Sequence, residues 1–307
     1  YQGKLASAIT INAAPATPAL AVRHRFNGIS IGPLVKDLAD SDILEGKGDV
    51  VAASLTATKS RPVVVKDWLI VSMGDSIASG EGSPDIPAFA MPVGQPLWAN
   101  EQCHRSRLAA ASIAALVLEL AIPRTSVTFV HLACSGATIA EGILGPYAGQ
   151  EPGPLLPPQK QQLSDLMNQA TVLGRPLRSV DALLLSIGAN DMDFVEVIFS
   201  CVLLDQCQND VFGRPDSIEA WKIVQDGLAA LNAGYPTMTA AINGAYGANL
   251  APNRVFITEY NDVLRNDAGA LCDGILAGVT PGITLDETAW LDVNFLNVLN
   301  STIKTRG

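Results

Sequence analysis

The sequence lacks any run of about 18 uninterrupted apolar residues, the length a membrane helix needs. The nearest approach to one, 108–122, carries Glu119 and follows Arg105 and Arg107, so it reads as a buried core helix. Basic blocks are lacking too. With 20 Lys plus Arg against 30 Asp plus Glu, the formal charge is −10. An acidic chain without basic clusters is a poor partner for nucleic acid or an anionic membrane surface, which leaves a small or neutral molecule as the expected partner. Charged residues are sparse at 16%, while the hydrophobic share of 48% is ordinary, and together these exclude global disorder. Histidine is scarce: His24, His104 and His131 are scattered and offer no metal-ligand spacing, so neither a metal nor a cofactor is expected. There are no repeats and no low-complexity tract. The chain begins at Tyr1 without an initiator Met or a signal peptide, and the expectation is a processed product or a piece of something longer.

A chain of 307 residues can bury most of its unfolded surface, as one large or two modest domains. Residues 1–62 read as an accessory β-rich segment, with short alternating runs at Ser7–Ile11 and Val50–Leu55 and with Lys59–Pro62 as the link onward. From residue 63 the pattern changes. Apolar strands are expected within Val63–Met73, Val127–Ala133, Asp181–Ile187 and Val255–Glu259. Between them fall helices over Arg105–Ile122, Pro158–Val172, Ser217–Leu231 and Thr237–Asn249. A last helix opens on the capping box Thr284-Leu285-Asp286-Glu287 and carries the stripe Ala289, Val293, Leu296, Leu299, Ile303. Apolar strands alternating with helices imply an α/β fold whose parallel sheet is covered on both faces.

In such a sheet, ligands bind beyond the carboxyl ends of the strands. Three of the expected strands end there in suggestive residues: Gly74-Asp75-Ser76, Cys134-Ser135-Gly136-Ala137, and Gly188-Ala189-Asn190-Asp191. A Ser after a strand-terminal Gly can start a helix with its Oγ exposed and its own N–H aimed at developing negative charge. A Gly in the next loop supplies a second N–H, and an Asn amide a third donor. That is a nucleophile with a three-donor oxyanion hole, the equipment of acyl transfer, each donor being worth about 3–4 kcal/mol in the transition state. Any one of these triplets alone is most often a turn. Their order, each at the end of a parallel strand, favours the catalytic reading. Asp75 and Asp191 read as braces that accept backbone hydrogen bonds.

These three blocks resemble the first three signatures of the SGNH hydrolases, also called GDSL esterases and lipases. Cys103-His104-Arg105-Ser106 and Leu132-Ala133-Cys134-Ser135-Gly136 are similar to the secreted, disulfide-bearing actinobacterial branch. The resemblance covers roughly Trp68–Arg306 and implies a three-layer α/β/α sandwich, flavodoxin-like, with strand order 2-1-3-4-5. It implies Ser76 as nucleophile, with the Ser76 amide, Gly136 and Asn190 as the oxyanion hole. It also implies Cys103–Cys134 and Cys201–Cys207 disulfides, worth about 3.7 and about 2.4 kcal/mol by loop entropy, in an oxidising, extracellular setting. Cys272 is left without a partner.

The family's fourth signature, a His near the C-terminus that takes the serine's proton, does not appear in the chain. With the odd cysteine, this suggests a form shortened after Gly307, lacking a fifth strand and leaving the fourth with an open edge. The expectation is a chain less stable than its parent, or one completed by the missing segment as a second polypeptide. Of the histidines present, His131 reads as a satisfied core or interface residue, His24 as solvated surface and His104 as structural. The expected function is hydrolysis of carboxylic esters through an acyl-enzyme on Ser76. Residues 145–158 and 201–212 are expected to shape an apolar pocket (Leu155, Leu156, Val202, Leu203, Leu204) for lipid or short-acyl esters. The alternatives are a carbohydrate O-acetyl esterase and a non-catalytic ester- or lipid-binding relative.

Overall fold

The structure is a computed structural model. It describes residues 8–13, 19–26, 29–37, 49–54, 57–62, 66–88, 94–123, 125–172, 179–204, 206–209, 220–275 and 282–307, with side chains from 66 onward except 169–172 and 248. The chain divides into two compact units, Tyr1–Ile70 with Ala114–Val130, and Val71–Ile113 with His131–Gly307.

In the first unit, β1 (Ala8–Ala13), β2 (Ala19–Phe26), β3 (Ile29–Asp37), β4 (Asp49–Ser54) and β5 (Ala57–Pro62) form a sheet ordered β3-β2-β1-β4-β5. β1 and β4 run parallel and the other pairs antiparallel. The β-rich reading of this region therefore takes the form of five strands. Lys59–Pro62, expected to be a link, instead lies in β5, where Pro62 pairs with Asp49. A proline is tolerated there because β5 is an edge strand and Pro62 its last residue.

A second sheet contains β6 (Lys66–Gly74), β7 (Thr125–His131), β8 (Ala182–Ser186) and β9 (Val255–Ile257), in the order β7-β6-β8-β9. It is parallel, with β8 and β9 registered Leu183 to Val255 and Leu185 to Ile257. In order of appearance the strands run 2-1-3-4. The carboxyl half of β6 is buried at every residue, as a strand covered on both faces must be. Helices lie between the strands and after the last of them, and the class is α/β. They are α1 (Ser76–Ser79), α2 (Ala110–Ala121), α3 (Gln159–Val172), α4 (Phe194–Leu203), α5 (Ala220–Tyr246), α6 (Leu285–Leu291) and α7 (Asn297–Arg306). No described helix is long and apolar enough to cross a membrane.

Three elements differ from expectation. The stretch 108–122, read as a buried core helix, forms α2, but Ala115 is its one buried residue and Leu116, Val117 and Leu120 are exposed. The helices placed on either side of residues 232–236 are one helix, α5, with Pro236 inside it. Pro236 withholds one backbone donor, but Leu231, Tyr235, Met238, Ile242 and Tyr246 form one continuous buried face, and that burial outweighs the lost bond. The final stripe is also re-phased. The capping box forms, but a π-turn over Asp292–Leu296 adds a residue to the turn, so Val293 is exposed while Phe295 is buried instead.

Candidate active site

The site lies in the second unit, at the carboxyl ends of β6 and β8 and in the loop after β7. Gly74 closes β6 at φ 138°, and a Cβ there would stand 2.0 Å from the Ser186 carbonyl oxygen, so only glycine fits. Its peptide groups are held on both sides by Gln159, itself buried. The Gly74 N–H donates to Oε1 at 2.8 Å, and Nε2 donates to the Gly74 carbonyl at 2.8 Å. The next amide, Asp75 N–H, donates to Ser186 O at 2.9 Å and so locks the turn to β8. Asp75 caps α1 by accepting from Ile77 N–H at 3.0 Å, and Ser76 follows as the first helical residue, half-buried. Among the described residues, neither the Ser76 Oγ nor its N–H has a protein partner.

The second block is drawn to the first by backbone and disulfide. Cys134 N–H donates to Gly74 O at 3.0 Å, and Ser135 N–H to Cys103 O at 3.1 Å beside the Cys103–Cys134 bond. Gly136 then takes φ 80°, and a Cβ on it would come within 2.2 Å of both Tyr147 Oη and Gln150 Nε2. Those two groups both donate to the Ser135 carbonyl, at 3.0 and 3.1 Å. The third block joins the second through side chains. Asn190 Nδ2 donates to Ala137 O at 3.0 Å, and the Asp191 carboxylate accepts from Ile139 N–H at 3.0 Å. The three blocks read from the sequence are thus knitted into one hydrogen-bonded cluster.

Tyr260, just past β9, was not singled out in the sequence. Its hydroxyl donates to Asp75 Oδ2 and accepts from Ala189 N–H at 3.0 Å. Asn300 on α7 fixes the Tyr260 backbone by a reciprocal pair: Tyr260 N–H to Oδ1 at 2.9 Å and Nδ2 to Tyr260 O at 3.0 Å. Gln159 was likewise missed. Its partner is 85 residues away, and the partner of Tyr260 is 185 away, so no local pattern marks either. Burial pushes the Asp75 carboxyl up to about 7, against the lowering influence of its Tyr260 hydrogen bond, with Asp191 raising it further. Burial likewise raises Asp191 to about 6. Both aspartates brace backbone amides, as expected.

The described histidines are committed elsewhere. The ring of His131 donates through Nε2 to the Ala78 carbonyl at 3.0 Å, and burial pushes it down to about 4, so it is neutral. His104 lies between two carboxylates, with Nδ1 2.8 Å from Glu81 and Nε2 3.3 Å from Glu151, and stacks on Trp98 at 4.7 Å. The side chain of His24 falls outside the described residues. Cys201–Cys207 is a second disulfide and Cys272 is free. Of the residues expected to form an apolar pocket, Val202 is buried in the core, whereas Leu155 is 67% exposed and Leu156, Leu203 and Leu204 are half-buried. Residues 210–219 lie outside the described residues. A cavity of about 400 Å³ sits elsewhere in this unit, between α5, β9 and α7.

No family model matches the sequence, and no curated protein matches it. Among solved structures, the chain is similar to phospholipase A1 from Streptomyces albidoflavus NA297, at 20% identity over 78% of this chain and 75% of that one, TM-score 0.44. It is also similar to an extracellular lipase from Streptomyces rimosus, at 18% identity over 78% and 75%, TM-score 0.40. An acetyl xylan esterase, Est2A, from Butyrivibrio proteoclasticus follows at 13% identity over 65% and 57%, TM-score 0.25.

Proposed function

We propose that the chain is a serine hydrolase of carboxylic esters that works through an acyl-enzyme on Ser76. The observation that carries this is the set of uncommitted groups within the cluster. Among the described residues, Ser76 Oγ, the Ser76 and Gly136 N–H groups and one hydrogen of the Asn190 amide have no protein partner, while the N–H groups of Gly74, Asp75, Cys134, Ser135 and Ala137 around them are bonded. In the reaction Ser76 Oγ bonds to the ester carbonyl carbon, and the charge on its oxygen is met by those donors. The C–O bond to the alcohol then breaks and the serine's proton leaves on the alcohol; water next adds to the acyl carbon, the acyl–Oγ bond breaks, and the acid is released as Ser76 regains its proton. The two disulfides suit an oxidising compartment such as the cell exterior. Lipid or short-acyl esters are the preferred substrates, and a carbohydrate O-acetyl ester is the runner-up.

A second reading is favoured by a specific observation. Both described imidazoles are engaged away from Ser76, and general-base help is worth about 10²–10⁴-fold. On this reading the chain binds esters or lipids without turning them over. Hydrolysis of p-nitrophenyl butyrate by the chain and by Ser76→Ala separates the two. Activity that disappears with Ser76 supports the esterase, and faster turnover of butyrate than of acetate supports the acyl-chain preference. Equal rates for both proteins reject the nucleophile.

A further inference from the structure

We propose that Tyr260 is a positioning residue for the Ser76 site, acting through Asp75 on one side and the Gly188–Ala189 peptide on the other. The proposal rests on the reading of Ser76 as nucleophile. Its geometry comes from a single hydroxyl that makes two bonds at once. The Tyr260 O–H donates to Asp75 Oδ2 and its oxygen accepts from Ala189 N–H at 3.0 Å. Asp75 is the residue before Ser76 and caps its helix. Ala189 is the residue before Asn190, whose amide supplies an oxyanion donor. One phenol therefore sets the spacing between the nucleophile's turn and the turn that carries the third donor.

The rest of the surroundings serve to hold that hydroxyl still. Asn300 fastens the Tyr260 backbone with two hydrogen bonds, so the segment after β9 that carries the ring is tied to helix α7. Asp75 is fully buried, and its other carboxylate oxygen is used by Ile77 N–H. The ionisable groups facing it are Tyr260 after β9, Asp191 after β8 and Tyr235 on α5. None of the three is a cation, so the Tyr260 hydroxyl is the side-chain donor that favours the charged form of Asp75. Without it, Asp75 takes up a proton at higher pH. A neutral carboxyl is a weaker acceptor for Ile77 N–H, and the Ser76 turn loses its cap. A misplacement of about 1 Å at a reacting group can cost 10²-fold.

The test uses butylboronic acid, whose boron bonds to a serine Oγ and leaves a negatively charged tetrahedral adduct in the oxyanion hole, so it reads the site without requiring turnover. Binding is measured from pH 5 to 9 on the parent chain, Ser76→Ala, Tyr260→Phe and Asn300→Ala. The same proteins are prepared with carboxyl-¹³C aspartate, so that the titration of Asp75 is followed by NMR. The expected result is binding to the parent that vanishes in Ser76→Ala. Tyr260→Phe should bind about 10–100-fold more weakly at pH 7 and recover as the pH rises, with the Asp75 titration moved upward. Asn300→Ala, which keeps the hydroxyl but loosens it, should show the same change in smaller measure, and it carries the test if Tyr260→Phe does not fold. Binding that depends on Ser76 but has the parent's strength and pH profile in the Tyr260 and Asn300 variants overturns the proposal alone. Parent binding that is absent, or indifferent to Ser76, overturns both the nucleophile reading and the proposal built on it.

Discussion

The turn that carries Ser76 and the loop over residues 145–158 both border the site, yet they are held in different ways. In the Ser76 turn, the backbone groups of Gly74 and Asp75 are held by Gln159, the Ser186 and Cys134 backbones and buried Ser79, and Tyr260 holds the Asp75 carboxylate. The 145–158 loop closes on itself through Tyr147 and Leu156. Half-exposed Gln102 then sews it down, with its Nε2 donating to Ala148 O at 2.6 Å and Pro154 O at 2.7 Å. Buried bonds are expensive to leave unmade, whereas exposed ones are readily replaced by water. The first region is therefore built to fix a position, while the ties of Gln102 to the second are ones that water can replace.

Substitutions break this contrast in a definite order. Gly74→Ala should have the largest effect: its new Cβ would overlap the Ser186 carbonyl at a φ that alanine avoids, and a loss above about 4 kcal/mol in denaturant unfolding is expected. Next comes pH. His131 has its folded value lowered to about 4 from 6.5, so the unfolded chain binds the extra proton first. Stability attributable to His131 is thus full above pH 6.5 and lost as the pH falls towards 4, up to about 3 kcal/mol. Asp75 works in the opposite sense: its raised value makes the folded chain the better proton binder, so its contribution falls as the pH rises from about 4 to about 7. Chemical denaturation of His131→Asn should lack the acid-side loss, and that of Asp75→Asn should lack the fall towards pH 7.

Gln159→Ala should cost about 2–3 kcal/mol, because it strands the buried Gly74 N–H, while the Gly74 carbonyl keeps its bond from Cys134. Gln102→Ala should cost only about 1 kcal/mol in global unfolding. It should, however, raise amide exchange across 148–154 without changing exchange at 74–80. Equal losses from the Gln159 and Gln102 substitutions would erase the distinction between the two regions.

How far the molecule could be read from its sequence follows the range of its interactions. The strands, the capping box at Thr284 and the blocks around Ser76, Gly136 and Asn190 are local patterns, and the structure has them at the ends of β6 and β8 and in the loop after β7. Tyr260, Asn300 and Gln159 carry no such pattern, since each gains its role from a partner at least 40 residues away. The split of α5 into two expected helices fails because its buried face runs on through Pro236, a continuity that only the packed fold creates. Val293 misled because a π-turn breaks the 3.6-residue period on which the stripe was read.

The most direct test of the central claim, that Ser76 is a nucleophile within a preformed oxyanion hole, is covalent labelling by a fluorophosphonate followed by peptide mass spectrometry. The account predicts one adduct per chain, on Ser76, formed much more slowly in Asn190→Ala and absent from Ser76→Ala. A chain that stays unlabelled, or that carries the adduct on another residue, would contradict it.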